Sequence, residues 1–239
     1  MILKKETEDR LIRIKQEHQK ISKIKSYGLS PRRKILLTGL PGTGKTMSAK
    51  VLAGELNLPL FLIRLDGLIT KYMGETASKL KLIFDAIAQI RGVYLFDEFD
   101  SIGSHRRANN DVGEMRRILN SFLQFIENDN SISLIIAATN HIEILDEALF
   151  RRFDDVIKYD LPDKEQMIKL LRNKLETLIK TKNINYKKLA DDFINLSYAE
   201  INRACEEAIK EVLIFDLPYL NEEIISKTLK ERQIMRKIP

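Results

Sequence analysis

Short apolar runs alternate with amphipathic segments through the first two thirds of the chain. After a break at residues 27–31, which contains Gly28 and Pro31, apolar runs of strand length recur, and apolar positions at helical spacing lie between them. Strands that alternate with helices predict a parallel β-sheet covered by helices on both faces. The predicted strands are Ile35–Thr38, Leu60–Leu65, Val93–Phe96, Leu134–Ala138 and Val156–Tyr159, and the predicted helices are residues 45–56, 77–90 and 114–127.

The pattern differs at both ends of the chain. Residues 4–25 carry isoleucine and leucine among many charges, which predicts an amphipathic helix. Beyond Asp160-Leu161-Pro162-Asp163 the strand-like runs stop, and helices are predicted at residues 164–181, 199–215 and 221–233. We therefore expect an N-terminal helix and linker (1–30), an α/β domain (31–161) and a small all-helical lid domain (162–239).

Composition narrows the possible settings and ligands. The single cysteine, Cys205, cannot form an internal disulfide, which is typical of a reducing compartment, and we expect a cytoplasmic protein. No apolar run reaches the ~20 residues of a membrane helix, so no membrane partner is expected. The 40 basic and 34 acidic residues are interspersed, and their net charge of +6 weakly favours an acidic ligand. Three scattered histidines without paired cysteines argue against a zinc site.

The strongest motif is Gly39-Leu40-Pro41-Gly42-Thr43-Gly44-Lys45-Thr46, which follows the first predicted strand and opens a helix. This is the sequence and the context of a P-loop. In a P-loop, successive backbone N–H groups surround the phosphates, the lysine reaches the outer phosphates and the last hydroxyl binds Mg²⁺. The residues expected to bind ATP are Pro41, Gly42, Thr43, Gly44, Lys45, Thr46 and Met47.

Two adjacent carboxylates, Asp97 and Glu98, follow the predicted strand Val93–Phe96. In open parallel sheets, ligands bind at the edge where such strands end. Asp97 is suited to hold Mg²⁺ together with Thr46, directly or through water. Glu98 is suited to polarise the water that attacks the phosphate.

A further polar residue, Asn140, follows the apolar strand Leu134–Ala138. If this strand lies between the P-loop strand and the acidic strand, Asn140 comes near the γ-phosphate and the attacking water. We therefore count Asn140 among the candidate catalytic residues.

Together with the stretch from Leu145 to Asp154, these motifs resemble the AAA ATPases, in particular the clade that includes katanin, spastin and the membrane-anchored AAA proteases. The likeness runs from about Glu6 to about Ile214. It implies a P-loop NTPase sheet sandwiched by helices, a helical lid, and ATP sites at the subunit interfaces of a homo-oligomeric ring, expected to be a hexamer.

The same resemblance implies roles for two further stretches. The family's stretch that matches Arg151-Arg152-Phe153-Asp154 supplies arginine fingers to the neighbouring subunit's ATP, and either Arg151 or Arg152 can be the one that reaches the phosphate. The segment 196–203 is similar to the family's Ser-Gly-Ala-Asp-Ile stretch near adenine, with Tyr198 in place of the glycine. Arg203 is expected to be a solvated helix position.

The loop from Leu68 to Thr76 resembles the first pore loop of AAA unfoldases, in which aromatic residues grip extended polypeptide. Tyr72 and Met73 suit an unspecific grip, because a flat ring and a flexible thioether pack against almost any side chain. The other reading is that both residues cover the domain's own core. The loop from Gly103 to Asp111 can face the same channel or be merely solvated.

These features predict an ATPase that remodels, unfolds or threads polypeptide substrates. The chain has no protease motif, so a separate protease or effector would use its output. A nucleic-acid motor or loader is a second reading. The basic charge balance is compatible with it, but nucleic acid is an unlikely partner because the basic residues are interspersed with acidic ones. An ATP-dependent scaffold or adaptor is the third. Because the sequence begins almost at the ATPase module, we expect that substrate selection belongs to a missing segment or to another chain.

Overall fold

The computed structural model describes residues 1–65, 75–100, 112–144 and 147–235, with only the backbone described at 112–116, 144, 147 and 148. The chain forms two compact units. The larger unit comprises Glu6–Gly39 and Lys45–Tyr159, and the smaller unit comprises Met1–Lys5, Leu40–Gly44 and the chain from Asp160 onward.

The larger unit is built on a parallel sheet of five strands in the order β2-β3-β4-β1-β5. Every residue of β4 is buried, as expected for a central parallel strand that is covered on both faces. The predicted α/β fold class is confirmed, and so is the position of β4 between β1 and β3. The strands are β1 (Lys34–Gly39), β2 (Leu60–Arg64), β3 (Val93–Asp97), β4 (Leu134–Thr139) and β5 (Asp155–Tyr159).

The helices of the larger unit flank this sheet. One face carries the main core, in which Phe84, Phe96 and Phe122 pack with ring centroids 5.1–5.8 Å apart. Leu36 of β1 belongs to that core. Because side chains alternate along a strand, the residues on either side of Leu36 point to the opposite face of the sheet, where the helix that follows the P-loop packs. The helices are α1 (Lys5–Gln19), α2 (Ile21–Ser26), α3 (Lys45–Leu56), α4 (Glu75–Gln89), α5 (Val112–Asn128) and α6 (Glu147–Phe150).

The N-terminal segment forms two helices where the sequence predicts one. Helix α1 ends at Gln19, and α2 begins after Lys20, whose backbone is not helical. Arg10 of α1 donates to the Val156 carbonyl at 2.7 Å, and Thr7 donates to the Lys158 carbonyl at 3.4 Å. Helix α1 therefore covers the outer edge of β5, which blocks pairing with a foreign strand.

The smaller unit is helical and has its own apolar core. Its first helix stops at Leu178, short of the predicted residue 181, because the chain then extends and pairs with Leu220. A short helix from Tyr186 was not predicted. The helices are α7 (Lys164–Leu178), α8 (Tyr186–Asp192), α9 (Tyr198–Ile214) and α10 (Glu222–Met235). Across the described residues of both units, no helix combines the length and the apolar character needed to span a membrane.

Candidate functional site

The ends of three neighbouring strands bring the predicted site residues of the larger unit to one edge of the sheet. Strand β1 ends at Gly39, β3 at Asp97 and β4 at Thr139, and all three run parallel. The register pairs Thr38 with Thr139, so the start of the P-loop and Asn140 leave the sheet at the same level. This edge is where open α/β sheets bind their ligands.

Lys45 lies at the centre of this edge. Its ammonium donates to the Gly39 carbonyl at 2.6 Å and to Oδ1 of Asn140 at 2.8 Å, and only 7% of the residue is exposed. Burial lowers the pKa of Lys45, while the charges of Asp97 and Asp100 oppose that shift. The environment thus holds a desolvated cation between oxygen atoms, which suits the binding of an anionic group.

Thr46 and Asp97 form the oxygen pair expected for Mg²⁺. The Thr46 hydroxyl donates to Oδ2 of Asp97 at 2.9 Å, so the two candidate ligands from α3 and β3 already lie side by side. The described residues contain no cluster of three or more histidine, cysteine or acidic side chains arranged around a metal position. A Mg²⁺ ion at a nucleotide needs only one or two protein oxygens besides phosphate and water, so this pair fits the ion.

Glu98 occupies a strained turn directly after β3. Its φ of 54° lies in the left-handed region, which a residue with a side chain rarely adopts. Its backbone N–H donates to Oδ1 of Asp97 at 3.0 Å, and the next N–H, of Phe99, donates to the Ala138 carbonyl at 2.9 Å. The turn is therefore fixed on both sides, and the Glu98 side chain remains exposed to solvent.

Asp100 is a site residue to which the sequence analysis gave no role. Its Oδ1 accepts from the Thr139 hydroxyl and from the Asn140 backbone N–H, both at 3.1 Å. These bonds hold the residue that follows β4 against the turn that follows β3. The only sequence signal was its position two residues after Glu98, in the stretch Asp97-Glu98-Phe99-Asp100 that follows the predicted strand.

In the smaller unit, the first half of the P-loop lies against the start of α9. The backbone N–H of Ala199 donates to the Gly42 carbonyl at 3.1 Å. A Cβ atom added to Gly42 would lie 2.7 Å from Oγ of Ser197, so only glycine fits this contact. Leu40, Pro41 and Gly42 also line an open groove of about 360 Å³ together with residues that include Arg203, which is exposed.

The two arginines after α6 have different surroundings. The Arg151 side chain is exposed, whereas Nε of Arg152 lies 3.5 Å from Oε2 of Glu127 in the same chain. The preceding turn is closed by a bond from the Arg152 N–H to the Leu149 carbonyl at 3.1 Å. Arg151 is consequently the more available of the two for a neighbouring molecule.

Several predicted site residues are not part of the cluster around Lys45. Tyr72, Met73 and the loop 103–111 lie outside the described residues, so their roles stay predictions. Met47, on the first turn of α3, is 53% exposed and makes no contribution to the cluster around Lys45.

Comparison with known proteins adds independent findings. The family described as "ATPase family associated with various cellular activities (AAA)" matches residues 35–161. An uncharacterized AAA family ATPase of Sinorhizobium fredii is 35% identical over 221 residues, which cover 92% of this chain and 66% of that protein. A putative 26S proteasome regulatory subunit homolog of Methanothermobacter thermautotrophicus is 33% identical over 84% of this chain and 55% of its own length.

A proteasome-activating nucleotidase of Methanoregula boonei is 32% identical over 82% of this chain and 47% of its own length. The chain therefore spans between about half and two thirds of the length of these three relatives. None of the three is named as katanin or spastin, so the likeness to that clade stays a prediction.

Proposed function

This chain belongs to the family of ATPases associated with various cellular activities, and we propose that it binds ATP with Mg²⁺ and hydrolyses it. The observation that carries the proposal is the cluster in which Lys45 contacts Asn140 and Thr46 contacts Asp97. These are the residues that the P-loop motif and the strand ends assign to the phosphates and the metal.

In this proposal the P-loop backbone from Gly42 to Gly44 donates N–H groups to the phosphates, and Lys45 supplies the cation opposite the outer phosphate oxygens. Thr46 and Asp97 would hold Mg²⁺, which when bound neutralises charge on the β- and γ-phosphate oxygens. The 2.9 Å contact between their oxygens supports this pairing.

Glu98 and Asn140 would act on the attacking water. Glu98 is exposed next to the Asp97 carboxylate, which suits a base that accepts a proton from a water near the metal. Asn140 is fixed through its backbone by Asp100 and through its side chain by Lys45, which suits a group that orients water beside the γ-phosphate.

We further propose that the active form is a homo-oligomeric ring, expected to be a hexamer, in which Arg151 or Arg152 reaches the neighbour's ATP. Hydrolysis would then drive Tyr72 and Met73 along a polypeptide, and a separate protease or effector would use the product. Relatives named as proteasome-activating nucleotidase and proteasome regulatory subunit homolog support a protein substrate. The proposed cytoplasmic setting rests on the single cysteine, which suits a reducing compartment. A nucleic-acid motor or an ATP-dependent scaffold are the alternatives.

The test of ATP hydrolysis compares the parent chain with Lys45→Ala. We expect phosphate release by the parent and loss of both tight ATP binding and hydrolysis in the variant, because the P-loop loses its cation. Lys50→Ala is the matched control, since Lys50 is an exposed lysine on the same helix and should leave both quantities unchanged. ATP binding by Lys45→Ala with parental affinity would refute the proposed role of this lysine.

A further inference from the structure

The smaller unit contains a hydrogen bond that fixes the orientation of a P-loop peptide group. Ala199 is the second residue of α9, and its N–H, which has no partner within the helix, donates to the Gly42 carbonyl at 3.1 Å. The peptide bond between Gly42 and Thr43 is planar and trans, so its C=O and its N–H point in opposite directions. By binding the Gly42 carbonyl, α9 therefore sets the direction of the Thr43 N–H.

The contact is close enough to be sensitive to the position of α9. An added Cβ at Gly42 would meet Oγ of Ser197 at 2.7 Å and Cβ of Ala199 at 2.9 Å. Gly42 itself has a φ of 75°, a backbone conformation open to glycine. A small displacement of the start of α9 would consequently break the bond from Ala199 or force the Gly42 peptide to rotate.

A buried phenol ties the start of α9 to the start of α7. The Tyr198 hydroxyl donates to Oε1 of Gln166 at 2.9 Å, and the same oxygen accepts from the Asp163 N–H at 3.0 Å. Both helices begin with a capping box, formed by Asp163 with Gln166 and by Ser197 with Glu200. The single bond from Tyr198 therefore joins two helix starts that are each already fixed by their own caps.

The phenol is suited to donate this bond permanently. Tyr198 is 9% exposed and belongs to the apolar core of the smaller unit. Burial, aided by the charges of Asp163 and Asp160, raises the pKa of Tyr198 to about 12, so its hydroxyl is protonated near neutral pH. The family stretch that this segment resembles has glycine at the position of Tyr198, and glycine has no side chain that could make such a bond.

We propose that Tyr198 is a positioning residue for nucleotide binding: through Gln166 it holds the start of α9 where Ala199 orients the Gly42–Thr43 peptide toward bound phosphate. This inference rests on the proposed function, because it requires that the P-loop binds a nucleoside di- or triphosphate. Tyr198 would then be a determinant of nucleotide affinity that does not itself contact the nucleotide.

The first experiment measures the dissociation constants of ADP and ATP for Tyr198→Phe by calorimetry. The substitution keeps the buried ring and removes only the hydroxyl. The loss of one hydrogen bond of this kind corresponds to about two- to twelvefold weaker binding when its full effect reaches the P-loop, and we expect weakening within this range for both nucleotides. Tyr186→Phe is the matched control, because it removes another buried phenol of the same core without a link to Gly42.

The second experiment approaches the same bond from Gln166. Gln166→Leu removes the acceptor and should weaken ADP binding at least as much as Tyr198→Phe, with little added loss when the two are combined. Gln166→Glu keeps an acceptor oxygen and a residue type that completes a capping box, so its affinity for ADP should stay near the parental value. Exchange of the backbone amide hydrogens of Leu40, Gly42, Thr43 and Gly44 should be faster in Tyr198→Phe and Gln166→Leu, and unchanged in Tyr186→Phe and Gln166→Glu.

Two outcomes would overturn the inference. Parental ADP affinity in Tyr198→Phe, whatever the change in its melting temperature, would mean that the phenol serves only the core. Equal weakening by Gln166→Glu and Gln166→Leu would mean that the acceptor oxygen is irrelevant. If the parent binds neither nucleotide, or if Lys45→Ala binds them as tightly as the parent, the proposed function itself fails. If the parent binds and Lys45→Ala does not, parental affinity in Tyr198→Phe contradicts the inference alone.

Discussion

The ammonium of Lys45 lies 2.8 Å from Oδ1 of Asn140. This bond joins the first residue of α3 to the residue that follows β4, across the edge where the parallel strands end. A phosphate that binds Lys45 must therefore lie beside Asn140 as well. The lysine expected to bind the phosphate and the amide expected to orient the attacking water are thus hydrogen-bonded to each other.

The first prediction concerns that amide. Asn140→Ala should lower the turnover of ATP about 100-fold, the usual cost of removing one oriented polar group at a developing charge. ATP affinity should change little, because Lys45 and Thr46 remain. The measurements are steady-state phosphate release and calorimetric binding. His141→Ala is the control, since His141 is the next residue and its side chain is exposed. A loss of affinity as large as the loss of turnover would contradict the role given to Asn140.

The second prediction follows from the pKa of Lys45, which burial lowers from the usual 10.5. Phosphate charges placed next to the ammonium would raise that pKa again. At alkaline pH below 10.5, the complex therefore holds more protons than the free protein, so ATP binding should take up a proton and weaken as the pH rises.

Calorimetry in two buffers with different ionisation enthalpies measures this proton uptake. Lys45→Arg is the matched control, because a guanidinium stays charged throughout this pH range. ATP binding by this variant should therefore take up no proton at this position. Heats of binding that do not depend on the buffer, at a pH where affinity is falling, would contradict the prediction.

The buried strands were the part of the fold that the sequence predicted best. Strand β4, for example, was placed to within one residue, because a strand covered on both faces is a continuous apolar run with sharp ends. Helix α8 was missed, since its seven residues complete less than two turns and give little periodicity. Its one clear signal is the cap at Asn185, whose side chain accepts from the Lys188 N–H.

In the candidate site, sequence motifs predicted which residues take part, and the structure adds the hydrogen bonds that connect them. Lys45, Thr46 and Asp97 were predicted from their positions at strand and helix ends, which fix where such side chains meet. The bonds of Asp100 to Thr139 and of Tyr198 to Gln166 were not predicted. Both join residues more than 30 positions apart in the chain, and no local pattern encodes such contacts.

The third prediction concerns Glu98, whose φ of 54° is costly for a residue with a side chain. Glu98→Gln should keep Mg²⁺-dependent ATP binding and lose about 10²- to 10⁴-fold in hydrolysis, because the amide cannot take the proton from water. Glu98→Gly should also lose hydrolysis but raise the free energy of unfolding by about 1 kcal/mol, because glycine adopts this backbone conformation without strain.

Asn57→Gly is the control for the strain argument. Asn57 has a φ of 52° in the turn after α3, but asparagine tolerates this conformation better than glutamate, so Asn57→Gly should gain less stability than Glu98→Gly while hydrolysis remains at the parental rate. Chemical denaturation and phosphate release measure the two effects. Hydrolysis by Glu98→Gln near the parental rate would remove Glu98 from the mechanism.

The fourth prediction concerns Tyr72, which lies outside the described residues. Tyr72→Ala should leave basal ATP turnover close to that of the parent and stop the processing of an unfolded polypeptide substrate, because the ring is expected to grip substrate and not ATP. Tyr27→Ala is the control, since Tyr27 is a 75% exposed tyrosine for which no pore role is expected. Unfolding of Tyr72→Ala would favour the core reading, and turnover stimulated by DNA but by no polypeptide would favour a nucleic-acid motor.

The last prediction concerns the two arginines after α6. Arg151 is exposed, whereas Arg152 lies 3.5 Å from Glu127 of its own chain, so we expect Arg151 to be the residue that reaches a neighbour's ATP. A cation that arrives from a neighbouring subunit can contribute ~10³-fold or more to phosphoryl transfer. Arg151→Ala should therefore lose hydrolysis by about that factor with ATP binding unchanged, and Arg152→Ala should lose less.

Mixing variants tests whether these arginines act between subunits. The double variant Arg151→Ala, Arg152→Ala keeps an intact P-loop, and Lys45→Ala keeps intact arginines, so an interface between the two can combine one intact half from each. We expect each variant alone to be inactive and their mixture to recover part of the parental turnover. The parent's specific activity should also rise with protein concentration as assembly completes each site. A mixture that co-assembles and stays inactive, or a dilute monomer with full activity, would show that the arginines do not act in trans.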